Sequence, residues 1–352
     1  MIELLPLLKT FLTTPGLSGY ESSIRQEVKN AWLPLCDEIE TSRIGSLHAL
    51  KRGTAQAPRP SMLIAAHMDE IGLMVTGITN GFLRITEIGG IDPRILPGQS
   101  VIIHGKKEIT GVVVQPPVQL LPSDVQSGPL PLQYLLVDTG LDAYQVHRLV
   151  KVGDRISFAQ SPVDFSEDTL VGHAMDNRVS LAAITYCLQE LKNRQLQWDF
   201  WAVASVQEEE TLGGALTSGF QLRPSLAIIV DVTFGSSPGS PAHKTFPIGK
   251  GITLGWGPTV HPFLYEQFKK LADELEIPHA VEVIPRLSAT DADTLQTTAE
   301  GVPTMIISIP LRYMHTPVEM VSLKDITRTG RLMAEFASRL DMEFLKKIKW
   351  DE

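Results

Sequence analysis

The tetrapeptide His67-Met68-Asp69-Glu70 closes the apolar run Met62-Leu63-Ile64-Ala65-Ala66 and brings an imidazole next to carboxylates. Alternate side chains of a strand share a face, so His67 and Asp69 are expected to point into one pocket, as a metal ligand with an acidic neighbour. Farther along, Asp176, the Glu208-Glu209 pair, Asp231 and His315 stand where a buried strand ends or a helix begins. Imidazole and carboxylate together suit divalent transition metals. Five such segments point to a dinuclear metal site.

Each segment has a plainer alternative. Asp176, in Gly172-His173-Ala174-Met175-Asp176-Asn177-Arg178, alone fits two roles, helix N-cap or carboxylate bridging two cations. Val203-Ala204-Ser205-Val206 runs straight into Glu208, Glu209 and Glu210, and adjacent carboxylates repel one another without packing gain. Neighbouring acids on a bend can divide their labour, so Glu209 is expected to bind metal and Glu208 to act as general base. Leu226 to Val230 reads as a strand ending at Asp231, where ligands of open α/β sheets gather. His315 alone fits a loop or packed histidine, but its place after the strand at 306 to 309 favours a ligand. His48, His104, His147, His173, His243, His261 and His279 are read as packed or surface residues. Two divalent ions bring a charge of +4 and Asp176, Glu209 and Asp231 supply −3, with His67 and His315 neutral. A hydroxide would cancel the remainder, and water activated by metal is the usual nucleophile of such hydrolases.

The elements needed to position these groups are those of an α/β protein. Helical spacing covers 3–13 and 22–34, the second starting at Ser22 or Ser23 after the breaker-rich turn Thr14-Pro15-Gly16-Leu17-Ser18-Gly19. Residues 61–67 form an apolar run of the kind buried on both faces of a sheet. Short β-branched runs (73–78, 82–88, 101–104, 111–114, 155–158), punctuated by Gly and Pro, then suggest a small β-barrel or sandwich. After residue 164 helices (176–193, 213–219, 261–276, 291–298, 322–345) alternate with strands (200–206, 226–230, 280–284, 303–308). The expected fold is α/β, a mixed, largely parallel sheet with helices on both faces. Residues 1–69 and 164–352 make the discontinuous catalytic domain, and 70–163 the inserted β-rich one.

Composition bounds the partners. The 352 residues, 43% hydrophobic and 20% charged, suit a soluble globular chain of about two domains. A net charge of −9 argues against nucleic acid and anionic membrane, which need a basic field. Two cysteines, Cys36 and Cys187, are too few for a disulfide framework or thiolate cage. Met1-Ile2-Glu3-Leu4-Leu5-Pro6 lacks the basic start of a signal peptide, and no apolar run reaches membrane-spanning length. A cytoplasmic protein acting on small molecules or peptides is expected.

In their order, His-Met-Asp-Glu-Ile-Gly, Asp176-Asn177-Arg178-Val179, Val-Gln-Glu-Glu, Asp-Val-Thr and Arg-Tyr-Met-His-Thr-Pro span nearly the whole chain. Together they resemble the cytosolic dinuclear metallo-aminopeptidases, which include glutamyl and tetrahedral aminopeptidases and members labelled endoglucanases. The resemblance implies that His67 and Asp231 hold one metal, Glu209 and His315 the other, and that Asp176 bridges them. It makes Glu208 the general base and Asp69 the acid that tunes the site through His67. It implies two divalent ions per subunit, Zn²⁺ or Co²⁺ with Mn²⁺ as an alternative, and peptide substrates. It also implies a homo-oligomer built from dimers through the inserted domain, up to a hollow tetrahedral dodecamer.

The chain departs from the family pattern at His173 (often Lys), Asn177 (often Asp), Thr211-Leu212-Gly213-Gly214 (often Gly-Leu-Arg-Gly) and Ala289-Thr290-Asp291-Ala292 (often Gly-Thr-Asp-Ala). The loop Phe234-Gly235-Ser236-Ser237-Pro238-Gly239 also lacks a common acid. None is an expected metal ligand. Two rivals remain: a β-1,4-glucanase, which needs two carboxylates and no metal, and a catalytically silent scaffold relative.

Overall fold

The computed structural model describes residues 3–125 and 127–350. Met1 and Ile2, part of the signal-peptide expectation, lie outside the described residues. Strands β1 (Glu38–Thr41), β2 (Leu47–Lys51) and β3 (Ser61–His67) open the chain. Strands β4 (Gly72–Thr79), β5 (Phe82–Ile88), β6 (Ser100–His104), β7 (Glu108–Val114), β8 (Leu136–Asp138) and β9 (Arg155–Phe158) follow. Then come β10 (Val163–Asp164), β11 (Thr169–Gly172), β12 (Asp199–Ser205) and β13 (Leu226–Phe234). The last are β14 (Ile252–Trp256), β15 (His279–Val283), β16 (Thr304–Leu311) and β17 (Glu319–Ser322).

The main sheet has the order β1-β2-β12-β3-β13-β16-β14-β15. Its centre, β12, β3, β13 and β16, is parallel, and these strands are apolar and buried almost throughout, as a sheet covered on both faces requires. Register decides the site: Ser205 lies opposite His67, and Asp231 opposite Ser308. One carboxyl edge of the sheet therefore presents His67, Asp231 and the turn that follows Ser205. The helix Met175–Leu191 packs on β3, β13 and the helix Leu323–Ser338, and buries most of its surface.

Strands β4 to β9 close into a separate barrel in the order β4-β5-β8-β7-β6-β9. Along β7 buried and exposed residues alternate, and the inward set, with Leu73, Leu83, Val101, Ile103, Val137 and Ile156, forms a core distinct from that of the main sheet. Of barrel and sandwich, the barrel is found.

Several boundaries differ from expectation. β13 runs on to Phe234 because its ladder with β16 continues to Leu311, so Asp231 sits inside the strand rather than at its end. The helix expected over 291–298 is the single turn Ala292–Leu295, and the last long helix stops at Ser338 before a separate turn, Phe344–Lys347. The hairpin β1–β2, the short β8 and the capped helix Ala143–Leu149 carry too little apolar periodicity to stand out in sequence. No helix among the described residues is long and apolar enough to cross a membrane.

Candidate metal centre

His67, the last residue of β3, is 1% exposed. Its Nδ1 faces Asp69, 3.3 Å from the backbone oxygen and 3.5 Å from Oδ1. Its Nε2 faces Asp176 Oδ1 at 3.1 Å, Glu208 Oε2 at 3.7 Å and Asp231 Oδ1 at 3.9 Å. His315 is arranged in the same way. Its Nδ1 lies 2.7 Å from the Gly90 carbonyl, which can only accept, so Nδ1 carries the proton and Nε2 is left to the acids. That Nε2 is 3.4 Å from Asp176 Oδ2 and 3.5 Å from Glu209 Oε2. The two oxygens of Asp176 thus face different histidines, as a bridging carboxylate must.

Other buried acids hold this arrangement by accepting backbone N–H groups. Asp69 is fully buried and takes Glu208 N–H at 3.1 Å on one oxygen and Glu209 N–H at 3.2 Å on the other. The chain turns there through Gln207, whose φ of 57° is unusual for a side-chain-bearing residue and whose N–H donates to Glu21 Oε1 at 3.2 Å. Glu319 accepts Met175 N–H (2.7 Å) and Asp176 N–H (3.2 Å) on Oε2 and His315 N–H (2.9 Å) on Oε1, tying the two ligand segments together. Asp176 does not stand at the N-cap of the continuous helix, because Asn177 after it is non-helical too, and its two oxygens are turned to the histidines. Asn177 fixes it from behind by donating to the Val230 carbonyl at 2.9 Å.

Acids outnumber cations here, and the proton affinities show it. Burial pushes Glu208 up to about 10, with Asp231, Asp291 and Glu209 adding to the effect. Burial and then Asp176 push Glu209 up to about 8, and burial raises Asp231 well above the carboxylate range. Asp291, whose Oδ2 takes the Ser205 hydroxyl, is pushed by burial to about 7. Asp176 is the exception: burial raises it, but His315 and His67 outweigh that and hold it below the usual range. Asp176 and Glu209 in turn lift His315 to about 9.

The group opens onto a cleft of about 570 Å³ whose described lining contains no Lys or Arg. His67, Asp176 and Glu209, and likewise His67, Glu208 and Asp231, present ligand atoms that lie within 4.8 Å of one another. Ligand bonds of roughly 2.0–2.2 Å fit that spacing, and oxygen and imidazole donors without fixed counter-cations suit divalent metal.

The structure brings His67, Asp176, Glu208, Glu209, Asp231 and His315 to one cleft, with Asp69 directly behind. Glu208 lies in ligand range of His67 and Asp231 as well as on the wall of the cleft. Glu21, Glu319, Asp291 and the Gly90 carbonyl were not singled out from sequence as parts of the site. The one signal for Glu319 is an acid inside the apolar run Val318-Glu319-Met320-Val321. Of the departures, His173 pairs with Glu70 at 3.2 Å and Asn177 holds β13, so both belong to the packing around the centre.

A sequence model of the M42 glutamyl aminopeptidase family matches residues 45–332. The chain is 35% identical to the lysyl aminopeptidase of Pyrococcus furiosus over 93% of this chain and 94% of that one. The crystal structure of a TET aminopeptidase from the archaeon Thaumarchaeota archaeon SCGC AB-539-E09 superposes with a TM-score of 0.93 at 27% identity, covering 98% and 99% of the two chains. The Pyrococcus horikoshii TET1 peptidase, described as assembling into a tetrahedron or a large octahedral shell, superposes with a TM-score of 0.84 at 28% identity, covering 96% and 100%.

Proposed function

This chain belongs to the M42 glutamyl aminopeptidase family, and we propose that it removes the N-terminal residue of short peptides with two divalent metals and Glu208 as general base. The observation that supports this best is the split of Asp176, one carboxylate oxygen toward each histidine.

In this proposal His67 and Asp231 hold one metal, Glu209 and His315 the other, and Asp176 both. Zn²⁺ or Co²⁺ suits these donors best, with Mn²⁺ as an alternative. When bound, the metals supply a Lewis acid for the scissile carbonyl and lower the pKa of water. Glu208 takes a proton from the attacking water and delivers it to the leaving amine. Acidic groups near the metals would hold the substrate's free amine, which favours an N-terminus over an internal bond. Asp69 works at one remove, holding the 208–209 turn and the His67 ring. Assembly into a homo-oligomer, through a barrel domain at about 70–163, belongs to the proposal, as does a cytoplasmic location. A glycosidase needs only two carboxylates, and nothing in that chemistry uses two ring-oriented histidines.

The test combines metal analysis with hydrolysis of aminoacyl-p-nitroanilides with and without chelator. Activity that tracks bound metal, and a fall of roughly 10²–10⁴-fold in Glu208→Gln at intact metal content, are expected. Loss of metal in that variant would make Glu208 a ligand instead. Chelator-resistant turnover refutes the metal-dependent proposal.

A further inference from the structure

Across the cleft from the metal centre stands a carboxylate that the proposed mechanism does not use. Glu282 lies on β15, and its side chain lines the same cleft as His67, Asp231 and Thr233. β15 is patterned against the usual rule: Val281 and Val283 are 45% and 71% exposed, while the acid between them faces inward and is half-buried. Within the single chain the charge is turned in and the valines out.

The carboxylate is also held rigidly. Thr233 Oγ1 donates to Glu282 Oε1 at 2.5 Å and Thr253 Oγ1 to Oε2 at 2.6 Å, and both threonines are buried. The described lining of the cleft that Glu282 faces holds no Lys or Arg, and each of its oxygens keeps acceptor capacity beyond its threonine. Thr233 follows Asp231 on the same face of β13, about 7 Å along the strand. A substrate with its free amine and scissile carbonyl beside the groups at 176, 208, 209 and 231 would leave its first side chain in the cleft that Glu282 lines.

We propose that Glu282 sets the specificity of the cleft, accepting hydrogen bonds from the cationic side chain of an N-terminal Lys or Arg and disfavouring acidic ones. The assignment rests on the peptidase reading and deepens it. A fixed, uncompensated carboxylate stabilises a desolvated ammonium or guanidinium and repels a second carboxylate.

The experiment measures kcat/KM for the p-nitroanilides of Lys, Arg, Leu and Glu with the metal-loaded protein. Lys and Arg are expected to exceed Glu by at least roughly 100-fold and Leu by roughly 10-fold, as a charge-assisted hydrogen bond allows. In Glu282→Gln the Lys-to-Leu ratio falls roughly 10- to 100-fold, mainly through KM, and Glu282→Lys shifts preference toward the Glu substrate. A wild-type preference for Leu or Glu overturns the assignment. So does an equal fall for all substrates in both variants, which is the mark of a merely structural role for the two threonine bonds. Absence of any hydrolysis removes the peptidase proposal and this one with it.

Discussion

Two buried acid clusters stand side by side in this molecule, and they are neutralised in opposite ways. Glu70 is 2% exposed, yet it is surrounded by partners from its own chain: Arg178 Nη2 at 3.2 Å and His173 Nδ1 at 3.2 Å in ion-pair contact, and the Gly16 N–H donating at 2.8 Å. Burial alone would raise its pKa, but Arg178 and His173 overcome that and hold it at about 2. Arg178 in turn donates to the Phe11 and Thr14 carbonyls, both at 2.5 Å, so the ion pair fastens the end of the helix Leu4–Thr13 to the sheet. One residue before Glu70 and two before Arg178, Asp69 and Asp176 belong to the other cluster. There four carboxylates and two imidazoles face a cleft without Lys or Arg, and Glu208 and Glu209 are pushed up to about 10 and 8. A structural charge cluster carries its counter-ions in the chain. A cluster meant for exchangeable cations leaves them out.

The sharpest way to break this contrast is to give the first cluster the imbalance of the second. Arg178→Met leaves Glu70 buried without its main partner and is expected to cost about 3–5 kcal/mol in urea unfolding, with much of it recovered in the double variant with Glu70→Gln. An additive double variant would show that the pair is not coupled. The converse manipulation supplies the missing charge: Zn²⁺ or Co²⁺ added to metal-depleted protein should raise the unfolding free energy by about 4 kcal/mol at a thousandfold excess over Kd. A melting temperature indifferent to metal and chelator would place the acids' compensation elsewhere.

Acid should separate the clusters next. The folded pKa of Glu70, about 2, lies below its unfolded value of about 4.5, so its stabilisation is complete above pH 4.5 and drains away as pH falls toward 2. The stability difference between wild type and Glu70→Gln is expected to shrink by up to roughly 3 kcal/mol over that window, followed by denaturant titration at stepped pH. A constant difference would mean that the carboxylate is not held ionised. The smallest effect belongs to the residue of the second cluster that adjoins the first. Asp69→Asn preserves shape but converts one acceptor oxygen facing the 208–209 amides into a donor, and a loss of roughly 10–100-fold in metal affinity or activity is expected. Unaltered metal affinity and turnover would reduce Asp69 to packing.

Much of the site could be read from the chain because its histidines and carboxylates follow apolar strand runs, and a strand that ends in Asp, Glu or His at a sheet edge leaves a local trace. Met62 to His67 and Val203 to Glu209 are of this kind. Glu319 left only an acid inside an apolar run, and Asp291 and Glu21 left none, since an acid that accepts hydrogen bonds from distant segments looks in sequence like any other acid. Asp231 was found for a reason that needed correction: it lies within β13, and it is the register with β3 and β16 that brings it to His67. Glu282 was likewise hidden, because alternation marks two faces but does not tell which one meets the cleft.

Residue types and their order determined by themselves that helices alternate with buried strands around a β-rich insertion, and that carboxylates and imidazoles sufficient for two cations recur along the chain. Those properties are local, set by periodicity and donor chemistry. Only the tertiary structure decided which acids receive a counter-charge from the protein and which do not. That division depends on distances of 3 to 4 Å between residues as far apart as 67 and 231, fixed by strand register and by N–H groups that no segment can supply to itself.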